Sequence, residues 1–329
     1  MSRTHPDPET VRAALTLAVR APSVHNSQPW SWRVGDSTVQ LYADCGRRLP
    51  HTDPDSRELV LSCGAALHHL RVALRAFGWE TVVHRFPNPA DPRHLAAVEL
   101  RHAVPDPESV RLARAISTRR SDRRRFTSWE VPSAQVAKVM AAGKAPGVAV
   151  HEVEATGERT RLSRIFAQAA DEHAHDPGYL AELSEWSGHH AQSYGVPARN
   201  AVASTDPRVR PFGDPRLPEA IVHDTDEASR MLVLATSSND LMGWLRAGEA
   251  ASAVLLSATA FGLATCPLTE PLELPRLREK IRADILGGFG HPQLMIRMGW
   301  AVSSAAAISP SPRLPLQEVV RPLESAATA

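Results

Sequence analysis

Two short stretches of the chain concentrate groups able to hold a ligand. The first, Ala21-Pro-Ser-Val-His-Asn-Ser-Gln-Pro-Trp30, sets small hydroxyls, two amides and an imidazole around two prolines. Proline fixes φ and lowers the entropy of the loop, while Ser23, Asn26 and Gln28 offer donors and acceptors. That composition suits a flat ligand with polar edges; an ordinary capped loop would share it. The second, Arg119-Arg-Ser-Asp-Arg-Arg-Arg-Phe126, packs five arginines into seven residues. Guanidinium forks bind phosphate bidentately, and Ser121 adds a hydroxyl donor. A solvated charge run is the other reading, and without interleaved aromatics a nucleic-acid surface is not expected.

Other chemistries lack their signatures. There is no G-x-G-x-x-G, no Walker A, no G-x-S-x-G and no H-E-x-x-H. The histidine pairs His68-His69, His173/His175 and His189-His190 are one or two residues apart, a spacing that does not place two ligands on one helix face, so no metal site is expected. Cys45, Cys63 and Cys266 show no CxxC spacing, which argues against a disulfide scaffold and for a reducing, cytoplasmic location. A net charge of +1 gives no bulk attraction to nucleic acid or acidic membranes. Of the 37 basic residues 34 are arginine, so only local clusters carry an argument. Charges at Arg3, Asp7, Glu9, Arg12 and Arg20 interrupt any apolar leader, and no apolar run is long enough to span a bilayer.

The elements that must position these stretches follow from periodicity and breakers. Residues 8–20 read as an amphipathic helix ending at Ala21-Pro22. Gly35-Asp36 joins strands 31–34 and 38–43 as a hairpin. Residues 56–77 form a long helix apolar on most sides, hence central, stopped by Gly78. Strands are expected at 81–86 and 94–101, before a Pro-rich break at 104–107. Helices follow at 107–118, 133–142 and 158–174. Residues 176–225 read as irregular, the mark of a lid or an interaction segment. Strand 231–236, a second long apolar helix at 241–262, helix 275–284 and strand 293–300 come next, then an extended tail from 303.

Anchors repeat. Gly64 and Gly78 bracket one long helix as Gly248 and Gly262 bracket the other, and Ala-Pro recurs at Ala21-Pro22 and Ala145-Pro146. The chain therefore reads as two copies of one α+β unit, residues 1–105 and 106–329, with a large insertion in the second.

Taken together, the loop resembles the PS-x-x-N-x-Q-P-W loop of the flavin-dependent nitroreductase superfamily, and Arg119–Phe126 resembles its R-R-S-x-R-x-F phosphate segment. Thr265-Cys-Pro-Leu-Thr-Glu270 sits where that superfamily carries the loop contacting flavin N5. Within the superfamily the chain is most similar to the actinobacterial Acg family, tandem fusions of two nitroreductase-like halves with a lid in the second. The resemblance covers roughly residues 8–320.

What it implies is a nitroreductase-like α+β fold in two tandem copies forming a pseudo-dimer, with lid 176–225 and one FMN. The loop exists only in copy one; the matching stretch from Ala145 to His151 lacks its Ser, Asn and Gln. The R-R-S-x-R segment exists only in copy two. By matched position Arg119, Ser121 and Arg123 would hold the phosphate, joined by Arg313 from the tail, with Arg120 adding backbone or edge contacts. Pro22, Ser23, His25, Asn26, Gln28 and Pro29 would line the flavin. A backbone N–H of Thr269 or Glu270, just after Leu268, would donate to N5, tuning the atom that accepts and returns hydride. No side chain is required as acid or base. The implied function is an NAD(P)H-linked oxidoreductase acting on an unassigned small-molecule acceptor, as a pseudo-dimeric monomer or a homodimer. The alternative is a flavin-sequestering protein closed by its lid, with Tyr179, Trp186, Tyr194 or Phe212 over the ring.

Overall fold

The computed structural model describes residues 5–189, 192–219 and 228–323. In chain order the elements are α1 (Pro8–Ala18), β1 (Trp30–Val34), β2 (Thr38–Ala43), α2 (Arg57–Ala76), β3 (Trp79–Arg85), β4 (His94–His102), α3 (Pro107–Thr118), α4 (Ser133–Ala142) and β5 (Val148–Glu152). There follow α5 (Thr156–Ala174), α6 (Pro177–Glu185), β6 (Arg230–Thr236), α7 (Leu241–Ala260), β7 (Ala264–Leu268), α8 (Glu270–Glu273), α9 (Pro275–Asp284), β8 (His291–Gly299), α10 (Leu316–Val319) and β9 (Val320–Pro322).

Two sheets share one strand order. The first runs β3-β4-β2-β1-β9 and the second β7-β8-β6-β5. All pairs are antiparallel except β1 with β9, which the tail adds in parallel. Each sheet wraps a long central helix, α2 in one case and α7 in the other. The first sheet buries alternate residues such as Trp30 and Trp32 and wets the rest. β6 is buried along nearly its whole length. Leu232 and Leu234 face α7 and α4, whereas Met231 and Val233 face α5 and α9. Alternation appears where one face meets water and vanishes where both are covered.

α2 and α7 cross at two glycines. A Cβ on Gly64 would lie 2.1 Å from the Leu245 carbonyl oxygen, and one on Gly248 would lie 1.9 Å from that of Leu61. No other residue permits this approach, which brings the backbones of α2 and α7 together at equivalent positions of the two helices.

The stretch 176–225 departs from the irregular reading. Its start is α6, whose N-cap Asp176 accepts hydrogen bonds from Gly178 and Tyr179 N–H, with Pro177 at the first helical position. The same Asp-Pro start opens α1 at Asp7-Pro8 and α3 at Asp106-Pro107. An aspartate cap followed by proline is a helix start as much as a turn. Tyr179, Leu183, Val196, Ala201 and Phe212 form a small core of their own. Residues 190–191 and 220–225 of the expected lid lie outside the described residues. β5 and β7 have no counterpart in the sequence reading: Val148–Glu152 is only five residues long, and Pro267 masks β7.

Candidate active site

The loop 22–29 leaves α1 and turns sharply. His25, Asn26 and Gln28 sit at φ of 46°, 56° and 54°, left-handed values that non-glycine residues seldom adopt. Such strain persists where the surroundings over-determine it, and here they do. Asn26 Nδ2 donates to the carbonyls of Gly195 and Pro312, and Asn26 Oδ1 accepts from Arg313 Nη1 at 2.9 Å. Gln28 Nε2 donates to the Ser193 carbonyl at 2.9 Å, Gln28 Oε1 accepts from Leu314 N–H, and Gln28 N–H donates to Ser23 Oγ.

These bonds hold part of the expected set away from the cavities. Gln28 and Pro29 are fully buried and absent from the walls of the site; Gln28 ties loop, tail and the 176–225 stretch together. The Pro29 carbonyl accepts from the Asp44 N–H and the Cys63 thiol. Pro22, Ser23, His25 and Asn26 do reach the walls.

Two abutting cavities occupy the junction, about 110 and about 280 Å³ in volume, sharing Pro22, Ser23, Ser121 and Arg123 in their walls. The smaller is mainly apolar. α2 supplies Glu58, Leu61, Ser62 and Ala65, a single helix face by their spacing, and α7 supplies Ala251 and Leu255. Leu268, Thr269 and Glu270 come from the end of β7 and the start of α8, and Arg208–Arg210 and Phe212 close it from the 176–225 stretch.

The larger cavity is cationic. Arg20, Arg119, Arg120, Arg123 and Arg313 line it with Ser23, Ser121, Asn26 and Ser311. Among the described residues no carboxylate is ion-paired with any of these five arginines. Burial, then Arg120, Arg20 and Arg123, push Arg119 down to about 10, and burial, Arg119, Arg20 and Arg120 push Arg313 down to about 9. Arg119 Nε and Nη1 are buried without a partner. Buried charge without a counter-ion is costly, and an anion removes that cost.

The arginine run does not act as one block. Ser121 bridges to Thr265 and the Asp122 N–H donates to the Thr265 carbonyl, so the segment runs beside β7. That turns Arg124 inward, onto Asp122 and the Ala306 carbonyl. Arg125 is likewise absent from the cationic walls. Arg313 lines the cavity yet spends its donors on the carbonyls of Val19, Arg20, Ala21 and Pro312 and on Asn26, clamping the end of α1 to the loop.

A polar network missed in the sequence joins the apolar cavity to α5, α6 and α8. Arg210 Nη1 donates to His25 Nε2 at 2.8 Å and to the Tyr179 hydroxyl at 2.7 Å, and its Nη2 pairs with Glu273. His173 hydrogen-bonds Glu270 and stacks on Tyr179. Burial and Arg210 pull His25 well below the usual imidazole range, which keeps it neutral. Phe212 meets His25 edge-on and lies under the Arg123 guanidinium. Scattered single residues in a Pro-rich stretch left no periodic signal for this network. Of the other three aromatic groups named for the lid, Tyr179 and Trp186 are buried and Trp186 packs on Tyr194; none of the three lines the apolar cavity.

No group of three or more potential metal ligands occurs among the described residues, and no helix there is long and apolar enough to cross a membrane.

A family model described as "Nitroreductase family" matches residues 116–300. "Putative NAD(P)H nitroreductase Rv3131" of Mycobacterium tuberculosis is 47% identical over 325 residues, covering 97% of this chain and 93% of its own. "Putative NAD(P)H nitroreductase acg" from the same organism is 38% identical, with 94% and 95% covered. Among solved structures, the FMN-dependent nitroreductase NfnB from Mycobacterium smegmatis in complex with NADPH aligns with a TM-score of 0.43 at 19% identity, over 66% of this chain and all of that one.

Proposed function

Because the chain belongs to the nitroreductase family and is a close relative of its Acg members, we propose that it is an oxidoreductase of the nitroreductase type that holds one FMN at the junction of its two sheets and takes reducing equivalents from NAD(P)H. The carrying observation is the pair of abutting cavities, one mainly apolar, one lined by five arginines without a carboxylate. An amphipathic ligand with a flat apolar end and a dianionic end suits both. The orphaned donors of Arg119 supply the independent fit.

On this reading Arg119, Arg120, Arg123 and Ser121 hold the phosphate, and Arg313 organises the loop beside it. Ser23, His25 and Asn26 border the ring, and a backbone N–H of Thr269 or Glu270 faces N5. FMN, when bound, supplies hydride acceptance and return; the protein contributes orientation, charge and exclusion of water. The equal strand order of the two sheets and the Gly64–Gly248 crossing support halves 1–105 and 106–329 as two copies of one unit that mimic a dimer.

The sequestering alternative keeps support from Arg210. Its bonds to His25, Tyr179 and Glu273 pin the 176–225 stretch against the apolar cavity. An anaerobic absorbance spectrum with and without NADPH separates the two. A yellow protein bleached by NADPH is the enzyme, and a yellow protein that NADPH leaves unchanged is the binder. A colourless protein that cannot be reconstituted with FMN contradicts both.

A further inference from the structure

A third cavity, about 310 Å³ in volume, lies between α2, α7, the end of β3 and the turn from α4 to β5. Its walls follow the internal repeat. Gly64 and Gly248 are 184 residues apart, as are His68 and Ser252, whose side chains hydrogen-bond at 2.8 Å across the helix pair. At the same spacing four residues of this wall answer four of the apolar cavity: Glu249 to Ala65, Arg246 to Ser62, Arg71 to Leu255 and Arg85 to Thr269. Pro146 answers Pro22 through the Ala-Pro repeat. The cavity is the counterpart, in the repeat, of the one assigned to the flavin ring, and four neutral side chains have become charged. A flat apolar ring is unsuited to it, because charge covered by apolar surface loses its water without gaining a partner.

What the changes leave is a basic pocket. Glu249, buried, is the one carboxylate in the wall. It accepts from Arg71 Nη1 at 2.8 Å and from Arg85 Nε and Nη2 at 2.8 and 2.9 Å. Lys144, in the α4–β5 turn, and Arg246, on α7, make no ion pair among the described residues; Arg246 Nη1 donates to the Pro146 carbonyl. Arg71 Nε is buried without a partner. Burial and Arg71 pull His68 down to about 4, so it adds no charge at neutral pH. Four cations against one carboxylate leave a positive surplus, delivered from two helices, a strand and a turn.

We propose that this cavity is a second ligand site, separate from the junction of the two sheets, and that it takes a small phosphate-bearing molecule. A carboxylate presents two acceptors in one plane and is satisfied by one guanidinium fork, as Glu249 is by Arg85. A phosphate presents acceptors in several directions and suits cations that converge from four elements. Flavin plays no part in this site.

Pyrophosphate is the probe. The chain has three lysines, Lys138, Lys144 and Lys280, so amine acylation followed by peptide mass spectrometry reads the site in the unaltered full chain. Pyrophosphate at ten times its dissociation constant should slow acylation of Lys144 by about tenfold, the free fraction that mass action leaves, with Lys138 and Lys280 unchanged. Citrate at matched ionic strength should leave Lys144 as reactive as before. By calorimetry on FMN-saturated protein, Lys144→Ala combined with Arg246→Ala should weaken pyrophosphate by about 100-fold, as two charge-assisted bonds are lost. In the Arg119→Ala, Arg123→Ala protein Lys144 should still be protected. Acylation of Lys144 that pyrophosphate does not slow overturns the proposal, as does protection that disappears with Arg119 and Arg123. Equal protection by citrate overturns the assignment to phosphate.

Discussion

At the scale of single residues the site is a problem of charge without water. Arg119 and Arg123 point into a cavity that offers no carboxylate, and each charge-assisted bond to a phosphate contributes on the order of 1.5–3 kcal/mol. Arg119→Ala combined with Arg123→Ala should therefore weaken FMN by at least about 100-fold, since ~1.4 kcal/mol is a factor of ten; fluorescence-quenching titration reads this, and unaltered affinity places the phosphate elsewhere. Glu58 gives the opposite sign of linkage. Its carboxyl is raised to about 8 in the fold against about 4.3 in an unfolded chain. Between those values the native state holds the extra proton, so its contribution favours folding less as pH rises from about 4.3 to 8. Thermal melts of the unaltered protein should fall across that window relative to Glu58→Gln, and parallel curves would mean that Glu58 is ionised throughout. The arginine run was legible as an anion site in the sequence because residue type alone carries that message. Its division between Arg119, Arg120 and Arg123 on the cavity and Arg124 on Asp122 was not, because it depends on pairing beside β7, a strand whose proline hides it.

At the scale of elements the decisive contact is the crossing of α2 and α7. A methyl group at Gly64 or Gly248 meets a backbone carbonyl at 2.1 or 1.9 Å, and backbone cannot rotate aside as a side chain can. Gly64→Ala or Gly248→Ala should cost roughly 1–3 kcal/mol or more by overpacking and lower flavin affinity as well, because the α2 face carrying Glu58, Leu61 and Ser62 shifts. Gly157→Ala, whose Cβ would meet only the end of Arg161 at 3.6 Å in the exposed first turn of α5, should instead be neutral or stabilise by roughly 0.5–1 kcal/mol. Melting temperatures check both. The long helices were readable from their uninterrupted apolar pattern, and the glycine pair from its repetition. α6 falls in the stretch that reads as irregular because Asp176-Pro177-Gly178 carries turn residues; the cap geometry that makes it a helix start exists only once Leu183 and Tyr179 have a core to join. Asp176→Ala should destabilise this segment by about 1 kcal/mol, seen as faster proteolytic nicking within 176–189 and unchanged elsewhere.

At the scale of the whole molecule the loop from one sheet and the arginine segment from the other meet at one place. Asn26 and Gln28 bind the tail that crosses from β8 to β9, so the chain closes on itself around the cationic cavity. The corresponding turn after α4, Ala145-Pro146-Gly147, holds no such side chains and leads directly into β5. The account therefore requires a single complete site. The most direct test is the stoichiometry of the purified protein saturated with FMN and freed of excess, measured by flavin absorbance against protein concentration, beside the Arg119→Ala, Arg123→Ala protein treated alike. The account predicts close to one FMN per chain, lost from the double variant. A ratio near two, or no retained FMN in the unaltered protein, would contradict it.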